Sequence, residues 1–229
     1  MENINQKVGQ EDLFKRFTRQ VVEIFHNKRE RKSLDGENGR VVRGRSPASS
    51  SDLEDLLALT ISGMLGIEYR FLVDKAISYK TPEMKRAKII YPDIMIIRGD
   101  TLLGIIELKI DLGYLSDDWI DKYLNNIVEL ARVGVVTYKE PKEYGKSETR
   151  KLKIARDIHS KSKVVVITSN NNHGKLEKFV QATNATVLYD RETPTNNKYN
   201  KSNREVLIES LIKEKDTGGK ALETFLRKF

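Results

Sequence analysis

Apolar residues recur at helical spacing in several parts of the chain. Near the N-terminus, Leu13, Phe17, Val21 and Ile24 fall on one face of a helix predicted over residues 11–27. The same spacing predicts further helices from Ser51 to the stop at Gly66, from Ser116 to Gly134, from Lys175 to Ala182 and from Glu205 to Phe229. Each of these helices has an apolar stripe to bury, so we expect them to pack against a common core.

Shorter segments have the pattern of strands. Three of them follow one another as a predicted meander, and two more come later in the chain. They are 67–79, 88–97, 101–110, 163–168 and 185–189. The segment KVVVIT at 163–168 is β-branched and uninterrupted, which is typical of a buried central strand. Since the later strands are linked through a helix, the pattern predicts one α/β domain over 1–229 with a mixed sheet.

Basic residues outnumber acidic ones, 41 to 33, which gives a formal net charge of +8. Residues 28–51 are poor in apolar side chains and are predicted to form a mobile basic loop. Residues 139–163 are also rich in lysine and arginine, and we expect an exposed loop or helix face there. The excess charge favours a polyanionic partner, although a basic surface that serves only solubility has the same composition.

The chain contains no cysteine, which excludes disulfides and thiolate zinc sites and favours the cytoplasm. No apolar run approaches the ~18 residues that a membrane helix requires, and the first ten residues are polar. We therefore expect a cytoplasmic protein without a membrane partner.

Candidate chemistry is concentrated in the segment 91–110. Side chains alternate along a strand, so Glu107 and Lys109 share one face while their apolar neighbours point to the other. A tight connection at Gly99-Asp100 would fold the second strand back on the first and place Asp93 opposite Glu107, within one residue of register. Two carboxylates and an ammonium are thus predicted to converge.

These three groups suit a metal-assisted attack on a phosphodiester. Carboxylates bind the hard ions Mg²⁺ and Mn²⁺, and such an ion activates water and polarises the phosphoryl oxygen. The Lys109 ammonium has two roles open to it: it stabilises developing negative charge or, with a lowered pKa, helps to deprotonate the attacking water. The alternative is an ordinary strand whose solvated face carries these residues without any metal.

The sequence PD at 92–93, followed by ELK at 107–109 on the next apolar strand, resembles the signature of the PD-(D/E)xK nucleases, the restriction-endonuclease-like superfamily. The resemblance extends over residues 50–168. It implies an α/β fold with a restriction-endonuclease-like core, in which a mixed central sheet is flanked by helices. It also implies metal ligation by the aspartate and the glutamate of the motif.

In that superfamily a helix before the meander often carries a further glutamate that faces the metal, and Glu54 occupies the corresponding place here. Helical spacing puts Glu54 at the edge of the apolar face, whereas Asp52 and Asp55 are less well placed. The site predicted with the help of the resemblance consists of Glu54, Asp93, Glu107 and Lys109, with the three acids as ligands of Mg²⁺ or Mn²⁺.

The expected activity is Mg²⁺-dependent endonucleolytic hydrolysis of DNA, as in a type II restriction enzyme or a related phage or repair nuclease. A homodimer is expected for duplex cleavage, since two active sites can cut two strands. Basic residues next to the site are candidates for phosphate contacts; they are Lys75, Lys80, Lys85, Arg86 and Lys88. A noncatalytic nucleic-acid-binding or assembly subunit with the same fold is the alternative, and RNA cleavage is a third possibility.

Overall fold

Five helices and nine strands make up the described part of the chain, which comprises residues 2–30, 49–110, 112, 115–116, 118–141, 146–168, 176–183, 185–189 and 204–229 of the computed structural model. The helices are α1 (Glu2–Glu30), α2 (Ser50–Met64), α3 (Trp119–Val133), α4 (Leu176–Thr183) and α5 (Arg204–Leu226). The strands are β1 (Tyr69–Val73), β2 (Ile77–Tyr79), β3 (Lys88–Ile90), β4 (Ile94–Arg98), β5 (Thr101–Lys109), β6 (Val135–Pro141), β7 (Ser147–Ile154), β8 (Lys163–Thr168) and β9 (Thr186–Tyr189).

The strands form one mixed sheet in which β5 is the branching strand. One edge of β5 pairs with β4, and β4 pairs with β1, both in the antiparallel sense. The other edge of β5 pairs in parallel with β7 at its start and with β8 at its end, and β9 continues in parallel beyond β8. The end of β5, Ile106 to Lys109, is therefore paired along its whole length with β8, and Ile106 is also paired with β4, which restricts the backbone there.

A β-bulge interrupts the β4–β5 ladder and changes its register. At the turn Arg98 pairs with Thr101, and Gly99 takes the positive φ of +60° that suits the first position of a two-residue hairpin turn. Beyond the bulge Ile94 pairs with Ile106, which is one residue farther along β5 than the register at the turn would give. Gly104 lies at the bulge, where a Cβ would come within 1.9 Å of the Lys161 carbonyl oxygen, so only glycine fits.

Helices cover the two faces of the sheet and create two apolar cores. On one face α1, α2 and α5 pack against residues such as Ile94, Ile106 and Leu108. On the other face α3 and α4 pack against residues such as Met95 and Ile105. Because consecutive side chains of a strand point to opposite faces, β5 contributes to both cores, as a strand in the middle of an α/β fold does.

The predicted α/β fold with a mixed central sheet and flanking helices is confirmed. The structure corrects several predicted boundaries. The N-terminal helix is longer than the predicted 11–27, and the C-terminal helix runs through Gly218-Gly219 and ends at Leu226. The prediction of a basic loop over 28–51 is wrong at both ends, since 28–30 belong to α1 and 50–51 to α2; its remaining part, 31–48, lies outside the described residues.

The prediction for residues 139–163 is also wrong. Its described residues, 139–141 and 146–163, form most of the antiparallel hairpin β6–β7 and a turn that leads into β8, rather than a loop or a helix. The strand β7 has Leu152 buried between exposed basic neighbours, but the many lysines and arginines obscure this strand pattern in the sequence. No helix among the described residues has the length and apolar character to cross a membrane.

Candidate metal centre

Asp93 and Glu107 meet at the end of the β4–β5 ladder. Ile94 pairs with Ile106, so the ladder continued by one residue sets Asp93 across from Glu107. The backbone N–H of Leu108 donates a hydrogen bond of 2.7 Å to Asp93 Oδ2, which fixes that carboxylate against β5. Each carboxylate side chain is less than one-fifth exposed. The convergence predicted from strand alternation is therefore present, with both acids held by the sheet.

The Lys109 ammonium lies where three oxygen atoms converge. Nζ is 3.2 Å from Asp93 Oδ2, 3.2 Å from Glu107 Oε2 and 3.1 Å from the carbonyl oxygen of Leu108. Two carboxylate oxygens and one carbonyl oxygen surround a single cationic group at hydrogen-bonding distance. Oxygen donors of this kind also suit a hard divalent cation, so the residues present fit Mg²⁺ or Mn²⁺.

Aromatic side chains of α3 and α4 support the lysine from the other side. Lys109 Nζ lies 4.9 Å from the centroid of the Trp119 ring, a distance at which a cation is attracted to the ring face. Trp119 stacks on Tyr123 at 5.3 Å and on Phe179 at 5.6 Å. The helical spacing of Trp119 and Tyr123 predicts core packing for both rings, and this is confirmed; what spacing does not predict is the contact between Trp119 and Lys109.

The site carries more negative than positive charge in a poorly solvated place. Burial, followed by the Asp93 carboxylate, raises the pKa of Glu107 to about 7, although Lys109 opposes the shift. Burial alone would lower the pKa of Lys109, but Glu107 and Asp93 outweigh it and the pKa is raised. Lys109 is thus held as an ammonium, while ionisation of Glu107 is disfavoured.

Glu54 lies near this centre without joining it. It is half-buried on α2, and burial raises its pKa, with the carboxylates of Asp93 and Asp74 adding to the shift. Asp52 and Asp55 are exposed and line a groove between α1 and α2. Within the described ranges no three His, Cys, Asp or Glu side chains are grouped closely enough to hold a metal ion. The structure therefore brings together Asp93, Glu107 and Lys109 and leaves Glu54 at longer range.

Asp74 is an acidic neighbour that the sequence reasoning missed. It follows β1 directly, and its backbone N–H donates a 2.9 Å hydrogen bond to the carbonyl oxygen of Asp93. Its φ of 44° is uncommon for a residue other than glycine. The prediction of one strand over 67–79 concealed the break at this position. An acid at the end of an apolar run, YRFLVD, was the available signal.

The five basic residues proposed for phosphate contact are spread over the β2–β3 region. Lys75 follows Asp74 and lines a cavity beside the site. Lys80, Lys85 and Arg86 are exposed in the connection between β2 and β3, at the end of this hairpin away from Asp93. Lys88 forms an ion pair of 2.7 Å with Glu129 of α3. Only Lys75 among them is thus next to the acidic centre.

Comparison with known proteins adds no relative. No family model matches the chain, and neither a curated protein nor a solved structure shows significant similarity to it.

Proposed function

We propose that this protein is a Mg²⁺-dependent endonuclease that hydrolyses phosphodiester bonds of DNA, with Mn²⁺ as an alternative ion. The observation that carries the proposal is the convergence of Asp93 Oδ2, Glu107 Oε2 and the Leu108 carbonyl oxygen on one cation, the Lys109 ammonium. Such a set of hard oxygen donors at the end of a rigid strand is suited to a divalent ion. The net charge of the basic chain, +8, favours a polyanionic substrate.

The charge balance supports metal binding at these oxygens. Two carboxylates face one ammonium, and burial together with repulsion from Asp93 raises the pKa of Glu107 to about 7, which the lysine does not offset. A divalent cation would supply the missing positive charge and hold Glu107 in its ionised form. When bound, the ion would activate a water molecule and polarise a phosphoryl oxygen.

The residues of the chain have different roles in the proposed reaction. Asp93, fixed by the Leu108 N–H, and Glu107 hold the ion at the end of β5. In hydrolysis the water oxygen bonds to phosphorus, one P–O ester bond breaks and the leaving oxygen takes up a proton. Lys109 has a raised pKa, which favours a role as a permanent positive charge beside the phosphoryl group over a role as the base.

The arrangement of elements supports a restriction-endonuclease-like core as part of the proposal. The helix α2 precedes an antiparallel unit of β1, β4 and β5. The parallel strands β8 and β9 come later in the chain, with α3 between β5 and β8 and α4 between β8 and β9. This is the order of elements that the resemblance of the PD and ELK motifs implies. The strands β7, β6, β2 and β3 extend the sheet from the start of β5, on the same edge that β8 joins at its end.

The second candidate is a noncatalytic nucleic-acid-binding subunit. The observation that favours it is the pair of Lys109 ion pairs, because they partly neutralise Asp93 and Glu107 without a metal. Asp93→Asn discriminates between the two candidates. We expect wild-type protein to cut supercoiled and linear DNA with Mg²⁺ or Mn²⁺ and not with EDTA, and Asp93→Asn protein to bind DNA without cutting it.

The matched control is Glu129→Gln, which also converts an acid of a lysine ion pair to an amide but lies outside the centre. It should cut like the wild type. Cleavage that persists in Asp93→Asn protein would contradict the proposed site, and a wild type that binds DNA but never cuts it would favour the noncatalytic subunit. The same assay with RNA of equal sequence shows whether the protein cuts DNA or RNA.

A further inference from the structure

The ring of Tyr91 is exposed beside the candidate metal centre. Its relative exposure is 64%, which is high for a large aromatic residue. Tyr91 is two residues before Asp93, and Pro92 between them is buried and has a restricted φ. The backbone of Tyr91 is therefore held close to that of Asp93.

Tyr91 also lines two cavities that lie on either side of it. One, of about 260 Å³, lies between α3 and the sheet and is lined by Glu107, Tyr123 and Asn126 among others. The other, of about 540 Å³, includes Asp74, Lys75 and Lys139. One cavity includes Glu107 of the centre, the other includes its neighbour Asp74, and Tyr91 lines both; the two cavities together are called the groove below.

The charges along this groove suit a nucleic-acid strand. Lys75 and Lys139 line the second cavity, and neither has a carboxylate partner closer than 4 Å within the part of the chain that the structure describes. Two ammonium groups are placed to neutralise backbone phosphates there. The first cavity combines aromatic and aliphatic walls with the polar side chains of Asn126 and Glu107, as pockets for flat polar ligands do.

We propose that Tyr91 is a stacking platform for a nucleobase of an unpaired DNA strand, which enters over Lys75 and Lys139 and passes Tyr91 to reach Glu107. This inference rests on the proposed nuclease function and specifies its substrate. Bases within a duplex have both faces covered by neighbours, whereas an unpaired base can stack on an aromatic side chain. The preferred substrate is therefore DNA with unpaired nucleotides near the cleavage point, which should be cut faster than the fully paired duplex.

The test is the binding of a short fluorescein-labelled single-stranded DNA in EDTA, followed by fluorescence anisotropy, so that neither cleavage nor metal affects the result. Tyr91→Ala should weaken binding roughly tenfold, the effect of one stacked base. Tyr91→Phe keeps the ring and should bind like the wild type. Ile67→Ala is the matched control and should also bind like the wild type, because it removes another exposed side chain just before β1, at the end of the β1–β4 pair away from Tyr91.

Two further ligands make the outcome specific to base stacking. Tyr91→Ala should leave unchanged the affinity for the fully paired duplex and for a strand of abasic deoxyribose units. Equal affinity of Tyr91→Ala and wild-type protein for the single strand would overturn the platform, as would an equal loss on all three ligands. If the wild type still cuts DNA in that case, only the stacking proposal is contradicted and the proposed metal centre is not. If DNA binding depends on Tyr91 but no metal-dependent cleavage occurs, the proposed nuclease function is contradicted instead.

Discussion

Two lysine–glutamate pairs in this molecule contain the same residue types, but the pKa of the glutamate is shifted in opposite directions. At the candidate metal centre Lys109 lies 3.2 Å from both Asp93 and Glu107, and all three side chains are less than one-fifth exposed. At the edge of α3, Lys88 lies 2.7 Å from Glu129 and is 37% exposed. The pKa of Glu107 is raised, whereas hydrogen bonds from Lys88 and Tyr79 lower the pKa of Glu129.

The difference comes from charge balance and burial. Glu129 has one cation, one hydroxyl donor and contact with water, so its ionised form is stabilised. Glu107 shares its cation with a second carboxylate in a poorly solvated place, so its ionised form is disfavoured. A lysine–glutamate pair is thus no sign of function by itself. An excess of buried negative charge around the lysine is what distinguishes a site that suits a further cation.

The largest expected contrast is in metal binding. Glu107→Gln should abolish the binding of Mn²⁺ because it removes one of two carboxylate donors, whereas Glu129→Gln should leave it unchanged. Isothermal titration calorimetry with Mn²⁺ measures both. Equal Mn²⁺ affinity of the two variants would show that the buried pair is structural, as the exposed one is.

The next effect concerns the lysines. Lys109→Met should lower the cleavage rate roughly 100-fold, as the loss of a charge that stabilises a transition state does. The same variant should bind Mn²⁺ more tightly than the wild type, since the ammonium contacts the oxygens that would hold the ion. Lys88→Met is the control and should change neither quantity. Weaker Mn²⁺ binding by Lys109→Met would mean that the ammonium and the ion do not share these oxygens.

The stability of the metal-free protein should respond in opposite directions at the two pairs. The folded pKa of Glu107, about 7, exceeds its unfolded value of 4.5, so its ionisation destabilises the fold as pH rises from about 4.5 to 7, and the full cost remains above that range. The stability of Glu107→Gln relative to the wild type should therefore rise between pH 4.5 and pH 7, by an amount on the order of 3 kcal/mol, and stay level above pH 7. Urea unfolding in EDTA at several pH values measures this.

Glu129 provides the counterpart in the same experiment. Its pKa is lowered, so its stabilising contribution is present at neutral pH and is lost as pH falls through the folded value. Glu129→Gln should destabilise the protein at neutral pH by roughly 0.5–1 kcal/mol, because the pair is partly exposed. If both variants shifted stability in the same direction, the electrostatic distinction between the two pairs would be lost.

The smallest effect is expected at Glu54, which influences Asp93 only at longer range. Glu54→Gln should lower the cleavage rate roughly tenfold, as changes outside the direct ligands do. Asp55→Asn alters the adjacent exposed acid on the same helix and should leave the rate unchanged. A loss as complete as that of Asp93→Asn would make Glu54 a direct ligand after all.

Local patterning predicted most elements near the site and failed where charge dominated. The segment KVVVIT was predicted as a buried strand because its apolar residues are uninterrupted, and it is β8. The hairpin β6–β7 was missed because exposed lysines and arginines outnumber the buried positions that reveal a strand. The break at Asp74 was missed because a positive φ at a residue other than glycine has no reliable signal in the sequence.

Which side chains share a face follows from the order of residues along one strand. Alternation along an apolar strand puts Glu107 and Lys109 together, since a strand has a period of two. What lies opposite them depends on contacts between distant parts of the chain. The register at the Gly99 turn would pair Asp93 with Ile106, and the bulge in the β4–β5 ladder moves the pairing by one residue to Glu107. A bulge depends on the packing of neighbouring backbone, here Lys161 against Gly104, and not on the local pattern of residues.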